Sequence, residues 1–368
     1  MRVLILSCST GGGHNSAAAA ISERFEMHGY HCTIVDTLEL LPGFMTKVIS
    51  RGHVFVYRHL PRLFGVGYRF EEHMEKPRFI YQQSSLGADD LYRYICANNF
   101  DTVICVHVFS ALTMTEIRKK YTPDIRVYFV ATDYTCSPGV KLGNMDAYFV
   151  PRGLSDEFEA SGIPRERIIE SGIPVRADFY HHKDKKEAKR AFGFRENGNA
   201  VLLMCGSMGC GPIYELTECL SEMLPHDTQL AVVCGNNEKL RHELEPLAGD
   251  KVKVLGYTKD ISLLMDASEL VLSKPGGLSS TETLTKGLPM ICINAVPGCE
   301  TRNLDFFVKK GYAVTAKGVE ALSELVCDYI ADTGLAERQK EILGCDFSYP
   351  ASEVIYEKIV QEESEING

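Results

Sequence analysis

Residues 273–282 read Ser-Lys-Pro-Gly-Gly-Leu-Ser-Ser-Thr-Glu, between a strand-like run, Glu269 to Leu272, and a helix-like run, Ser279 to Lys286. A strand, a glycine turn and a helix in that order aim free backbone N–H groups and a positive dipole end at an anion. Lys274, Pro275, Gly276, Gly277, Leu278 and Ser279 form the turn and helix entry. Glu282, three residues into the expected helix, suits a ribose diol. Together these residues describe a nucleotide-diphosphate site from which the diphosphate departs.

One β–α unit later, residues 294–303 read Asn-Ala-Val-Pro-Gly-Cys-Glu-Thr-Arg-Asn. A strand ends, Pro297-Gly298 turns, and Cys299, Glu300 and Asn303 open a helix. Glu300 can accept hydrogen bonds from sugar hydroxyls. The plainer reading is a capping carboxylate, and it loses ground beside Gly276-Gly277. The loop Gly206, Ser207, Met208, Gly209, Cys210, Gly211 precedes a helix starting near Pro212. It can line the diphosphate or donor sugar, or be an ordinary β–α turn. Gly256-Tyr257 can clamp a flat base through its backbone, and as a structural turn it would read the same.

A second group lies near the amino terminus. Gly11-Gly12-Gly13-His14-x-x-Ala17-Ala18-Ala19 opens the first helix. The glycines permit close approach to a ligand. The helix dipole favours a neutral imidazole at His14, able to take a proton from an attacking hydroxyl. A glycine loop with an incidental His fits the same residues. The spacing is not that of the G-x-G-x-x-G dinucleotide fingerprint. Asp133 and Tyr134 follow a strand, where a carboxylate can orient His14, bind an acceptor or simply form a turn. His107 ends another strand and is open to the same readings.

From Phe44 to Phe70 the chain carries Lys47, Arg51, Arg58, Arg62 and Arg69 with no acidic residue. Phe55, Phe64 and other apolar side chains are interleaved. A basic, aromatic-rich amphipathic stretch suits an anionic membrane surface, each cation adding about 1 kcal/mol. The alternative is a helix pair packed on its apolar side, for which one-sided charge is not needed.

These groups need elements to hold them. Short β-rich runs recur at 2–7, 31–36, 102–106, 125–131, 146–150, 200–205, 228–234, 251–255, 269–273, 289–293 and 312–315, many separated by helix-like segments. The alternation predicts an α/β chain with parallel sheets covered by helices. A glycine loop follows the first strand and another follows 200–205, so the pattern restarts and two Rossmann-like domains are expected. The boundaries are placed at 1–172 and 173–349, with the connection in the segment from about Ser171 to Asn199. A helix over 350–362 is expected to rejoin the first domain. Ligands would bind in a cleft at the carboxyl ends of the strands.

The length of 368 residues fits two domains, and 45% hydrophobic with 24% charged residues fits a soluble globular protein. A net charge of −10 argues against a nucleic-acid binder. The 13 cysteines form no C-x-x-C pair and several sit in apolar runs, as small buried hydrophobes in a reducing compartment would. No secretory leader or run of about 20 apolar residues is visible.

The combination of Gly11-Gly12-Gly13-His14-x-x-Ala17-Ala18, Gly172-Ile173-Pro174, Lys274-Pro275-Gly276-Gly277 with Glu282, and Val296-Pro297-Gly298-x-Glu300-x-x-Asn303 resembles the monogalactosyldiacylglycerol synthase and processive diacylglycerol glucosyltransferase group of glycosyltransferase family 28. The match covers nearly the whole chain. It implies a GT-B fold, and a UDP-sugar donor of the UDP-glucose or UDP-galactose type held mainly by the second domain. It also implies a diacylglycerol-type acceptor met by the first domain, where Gly12, Gly13, His107, Tyr134 and the basic segment are the candidate contacts. Inversion at the anomeric carbon without a catalytic metal or cofactor is implied too. By the resemblance His14 is the base. Glu282 holds the ribose; Gly276, Gly277 and Ser279 hold the diphosphate; Glu300 holds the sugar; and the backbone at Tyr257 holds the uracil. Cys299 stands where relatives often carry Gln. Thr135 to Val140 replaces a stretch that usually carries His and Trp, and this chain has no Trp.

The expected protein is a cytoplasmic enzyme, peripheral on the inner face of the cell membrane. The competing readings are a related transferase with a polyprenyl-linked or small-molecule acceptor, and a nucleotide-sugar-binding protein without turnover. A dinucleotide-dependent oxidoreductase fits least, because neither glycine loop has the required spacing.

Overall fold

The computed structural model describes residues 1–9, 12–40, 87–293 and 295–367. Gly11 and the basic-segment residues Lys47, Arg51, Phe55, Arg58, Arg62 and Phe64 lie outside the described residues. The chain divides into two compact units: Met1–Ala177 with Val296–Cys299 and Tyr349–Gly368, and Asp178–Ala295 with Glu300–Ser348.

The first unit is built on a parallel sheet of β1 (Val3–Ser7), β2 (Cys32–Asp36), β3 (Thr102–Cys105), β4 (Arg126–Val130), β5 (Ala147–Val150) and β6 (Ile168–Glu170), in the order β2-β1-β3-β4-β5-β6. β1 pairs with β2 on one side and β3 on the other, with Ile5 level with Ile34 and Ile104. The order reverses beside β1, so the loops after β1 and β3 diverge and leave a crevice at the strands' carboxyl ends. β6 was not among the expected runs. It is a three-residue strand at the sheet edge and none of its residues is fully buried, so it lacks the apolar signature of the central strands.

The core joins Val3, Ile5, Ile104, Tyr128, Val130 and Phe149 to Ala18, Ile21 and Phe25 of helix Gly12–Met27. Ile355 and Ile359 of the last helix, Ala351–Asn367, belong to the same core. Arg24 meets Glu353 at 2.6 Å, the Tyr128 hydroxyl donates to Glu362 at 2.7 Å, and Phe25 meets Tyr356 edge-on at 5.2 Å. Each aliphatic side chain so buried is worth about 1.5–3 kcal/mol.

The second unit repeats the plan with β7 (Asn199–Met204), β8 (Thr228–Val233), β9 (Val252–Leu255), β10 (Leu270–Ser273), β11 (Met290–Cys292) and β12 (Val314–Thr315) in the parallel order β12-β11-β10-β7-β8-β9. The order now reverses beside β7, between β10 and β8. Ser273 is level with Met204 on one side and Cys292 on the other. The loops after β7, β10 and β11 therefore leave one edge of the sheet side by side. Val201, Leu203, Val232, Leu272 and Ile291 form the core with Leu216 and Leu220 of helix Ile213–Met223 and Val326 of helix Val319–Ala331. A buried ion pair secures the chain's entry to this unit. Lys286 donates to both oxygens of Asp266 at 2.9 Å and to the carbonyl of His181 at 2.6 Å, while Asp266 also accepts from the Lys183 N–H.

Candidate active site

In the first unit, helix Gly12–Met27 begins just past β1 and carries His14 in its first turn. Gly12 and Gly13 precede it there, both half-buried. The imidazole Nδ1 lies 3.1 Å from the carbonyl oxygen of Val106, just past β3, and 3.0 Å from the hydroxyl oxygen of Thr132, just past β4. A carbonyl can only accept, so Nδ1 carries the proton and Nε2 is the basic nitrogen. Burial pushes the His14 pKa below its ordinary value, while the Asp133 charge and the Val106 hydrogen bond act in the opposite direction. The neutral imidazole expected at this position thus owes its character first to burial.

His107 caps helix Val108–Tyr121. Its Nδ1 accepts from the Phe109 N–H at 3.1 Å. Its ring meets that of His14 edge-on, with centroids 4.6 Å apart. Asp133 is half-buried beside Thr132, and Tyr134 is buried with 4% exposure. Thr132 and the Val106 carbonyl were not singled out from the sequence. Their only sequence signal is a place at the carboxyl end of a strand next to β1 or one removed from it.

In the second unit, the glycine turn leaves β10 and enters helix Gly277–Thr285. Gly276 is the extended N-cap, with φ −75° and ψ 140°, and no atom lies within 4 Å of where its Cβ would stand. The helix starts two residues before the expected Ser279, because Pro275 and the extended Gly276 set the chain to turn at Gly277. Glu282 accordingly sits in the second helical turn rather than three residues in, and it is half-buried. Leu278 is buried and Ser279 half-buried in the first turn.

The next motif is joined to this turn by two contacts. Lys274 Nζ lies 3.0 Å from Glu300 Oε1. Asn303, fully buried in helix Cys299–Lys310, donates from Nδ2 to the Pro275 carbonyl at 3.0 Å. Gly298 takes φ +124° just before that helix, and Cys299 is its half-buried first residue.

The loop after β7 has a divided role. Gly206 adopts φ +66° with open space where a Cβ would be. Gly209, at φ +53°, has its would-be Cβ only 2.2 Å from the Cys234 carbonyl oxygen. Asn236 N–H donates to the Ser207 carbonyl at 2.8 Å and Asn237 Nδ2 to the Gly209 carbonyl at 3.0 Å. Gly209 serves this loop-to-loop packing, and Ser207 and Met208 stand half-buried between the two glycines. Tyr257, past β9, is 62% exposed. Among the described residues no group of three or more His, Cys, Asp or Glu is arranged to hold a metal ion, and no helix is long and apolar enough to cross a membrane.

Residues 14–175 match the family described as monogalactosyldiacylglycerol (MGDG) synthase, and residues 200–338 match the glycosyltransferase family 28 C-terminal domain. A processive diacylglycerol beta-glucosyltransferase of Bacillus cereus strain AH187 is 30% identical over 325 residues, covering 86% of this chain and 82% of that protein. The chain belongs to the MGDG synthase group of glycosyltransferase family 28. Its architecture is shared by solved structures. Acinetobacter baumannii MurG superposes with a TM-score of 0.59 at 14% identity, over 98% of this chain and 99% of MurG. UDP-GlcNAc 2-epimerase from Neisseria meningitidis, bound to UDP-GlcNAc, gives 0.66 at 14% identity, over 98% and 100%. The fold of this family 28 protein is therefore GT-B, with one parallel six-stranded sheet in each unit.

Proposed function

We propose that this family 28 protein transfers a hexose from a UDP-sugar to diacylglycerol, or to a glycosyldiacylglycerol, at an anionic membrane surface. The observation that carries the reading is the joined pair of motifs after β10 and β11. An open glycine turn at a helix N-terminus is tied by Asn303 to a helix whose second residue is Glu300. Such a turn suits a diphosphate, and the carboxylate beside it suits a sugar. The names of the relatives support the lipid acceptor, and the UDP-GlcNAc of the epimerase structure is consistent with a nucleotide-sugar donor.

The acceptor hydroxyl gives its proton to Nε2 of His14 as its oxygen bonds to the anomeric carbon. The bond from that carbon to the diphosphate oxygen breaks, and its electron pair leaves with UDP. An α-linked donor then yields a β-linked product. The transition state has oxocarbenium character. The Gly276 N–H already donates to the Lys274 carbonyl at 2.8 Å, so the N–H groups of the helix start at Gly277 stabilise the departing charge, and such donors are worth about 3 kcal/mol each. No resident metal or other cofactor is needed in this scheme. The basic segment that includes Lys47, Arg51, Arg58 and Arg62 supplies the attraction to anionic lipid.

A screen of mixed UDP-sugars against diacylglycerol, polyprenyl phosphate and small-molecule acceptors, read by mass spectrometry, tests the proposal. Hexosyl-diacylglycerol is the expected product. Tight UDP-sugar binding with no product from any acceptor would establish a binding protein instead.

A further inference from the structure

Lys274 stands at the head of a turn that suits a diphosphate, and a lysine there reads first as a phosphate contact. The structure gives its ammonium a different partner. Nζ lies 3.0 Å from Glu300 Oε1, with the two side chains only 8% and 13% exposed. A carboxylate and an ammonium this enclosed are costly apart and tolerable together. The thiols of Cys205 and Cys292 lie near the same carboxylate, and burial raises both to about 12, so they remain neutral neighbours. The geometry of the pair is set from outside it. Asn303, one helical turn beyond Glu300, is bonded to the carbonyl of Pro275, the residue after Lys274. The turn and the helix start are thus braced at two points, which limits how far Glu300 can swing.

We infer that Lys274 is a positioning residue for sugar recognition: it holds the Glu300 carboxylate in one orientation, ready for the hydroxyls of the donor hexose. The inference rests on the donor-site reading above and adds a division of labour to it. The glycine turn reads the diphosphate, and the Lys274–Glu300 pair reads the sugar. Preorganised groups of this kind improve recognition without making a new contact themselves.

The test is calorimetric titration of the full chain with UDP and, separately, with UDP-glucose. In wild type the ratio of the two dissociation constants measures what the sugar adds. In Lys274→Met, UDP binding should stay within about 3-fold of wild type. UDP-glucose binding should weaken about 10- to 100-fold, the loss expected for charge-assisted hydrogen bonds to a hydroxyl. Glu300→Gln should show the same selective loss. In the double variant, Lys274→Met should add no more than about 2-fold to that loss, because its effect runs through Glu300. The double variant removes both charges of the buried pair, so it reports even where Lys274→Met alone fails to fold. Equal weakening of UDP and UDP-glucose in Lys274→Met, or full additivity of the two substitutions, overturns the positioning role. Wild-type protein that binds neither ligand contradicts the donor reading itself.

Discussion

Nδ1 of His14 lies 3.1 Å from the backbone carbonyl oxygen of Val106. The carbonyl follows β3, which is hydrogen-bonded to β1, and His14 stands in the helix that follows β1. The sheet therefore fixes both partners of this hydrogen bond. It selects the tautomer in which Nε2 is unprotonated, the form a general base requires.

The pH dependence follows from the surroundings of this ring. Burial lowers the His14 pKa and the Asp133 charge raises it. Turnover should rise with pH on an acid limb centred below the ordinary imidazole value and be flat at neutral pH. Asp133→Asn removes a raising influence, so its acid limb should move to still lower pH. A kcat/KM profile of the two proteins, which reports the free enzyme, checks this, and a limb that moves upward in Asp133→Asn contradicts the assignment.

The glycines divide into two predicted classes. Gly209→Ala would force a Cβ to 2.2 Å from the Cys234 carbonyl at a positive φ of 53°. It should lose at least about 1–3 kcal/mol of stability. Gly276→Ala meets no atom within 4 Å and keeps an ordinary φ of −75°. It should leave stability unchanged or raise it by up to about 1 kcal/mol, while weakening UDP binding by about 10-fold because the Cβ occupies space kept for a ligand. Denaturant titration and UDP calorimetry on the two variants separate the classes.

Asn303→Ala deletes the hydrogen bond to Pro275 from a fully buried position. A cost of about 1–3 kcal/mol is expected from the carbonyl left without this donor. UDP-sugar binding should fall with it, since the brace joins the two donor motifs. Chemical denaturation and calorimetry measure both effects.

The membrane proposal rests on charge. Replacing Lys47, Arg51, Arg58 and Arg62 together by Gln should reduce partitioning onto anionic vesicles by at least about 10-fold at low salt. Vesicle sedimentation against a zwitterionic control reads the difference, and equal partitioning of wild type onto both vesicle types argues against a basic docking segment.

Much of this was readable in the sequence for a physical reason. Parallel strands buried on both faces leave unbroken apolar runs, so β1, β3, β7 and β10, and the glycine turns after β7 and β10, could be placed. The three-residue edge strand Ile168–Glu170 could not, since an edge position asks little of its side chains. Helix starts were less exact. Glu282 moved to the second turn because backbone geometry at Gly276, rather than side-chain polarity, sets where the helix begins. The pairs His14–Val106 and Lys274–Glu300 were hidden for another reason. One partner of the first is a backbone carbonyl 92 residues away, which no residue type advertises. The second joins two motifs that are each intelligible alone.

The most direct measurement is a paired assay of wild type and His14→Ala with UDP-glucose and vesicles containing diacylglycerol, in which released UDP and glucosyl-diacylglycerol are quantified together. Wild type should form the two products one for one. His14→Ala should bind UDP as wild type does and lose about 10²- to 10⁴-fold in turnover. Glycolipid formation at the wild-type rate in His14→Ala, or UDP release by wild type with no glycolipid, would contradict the account.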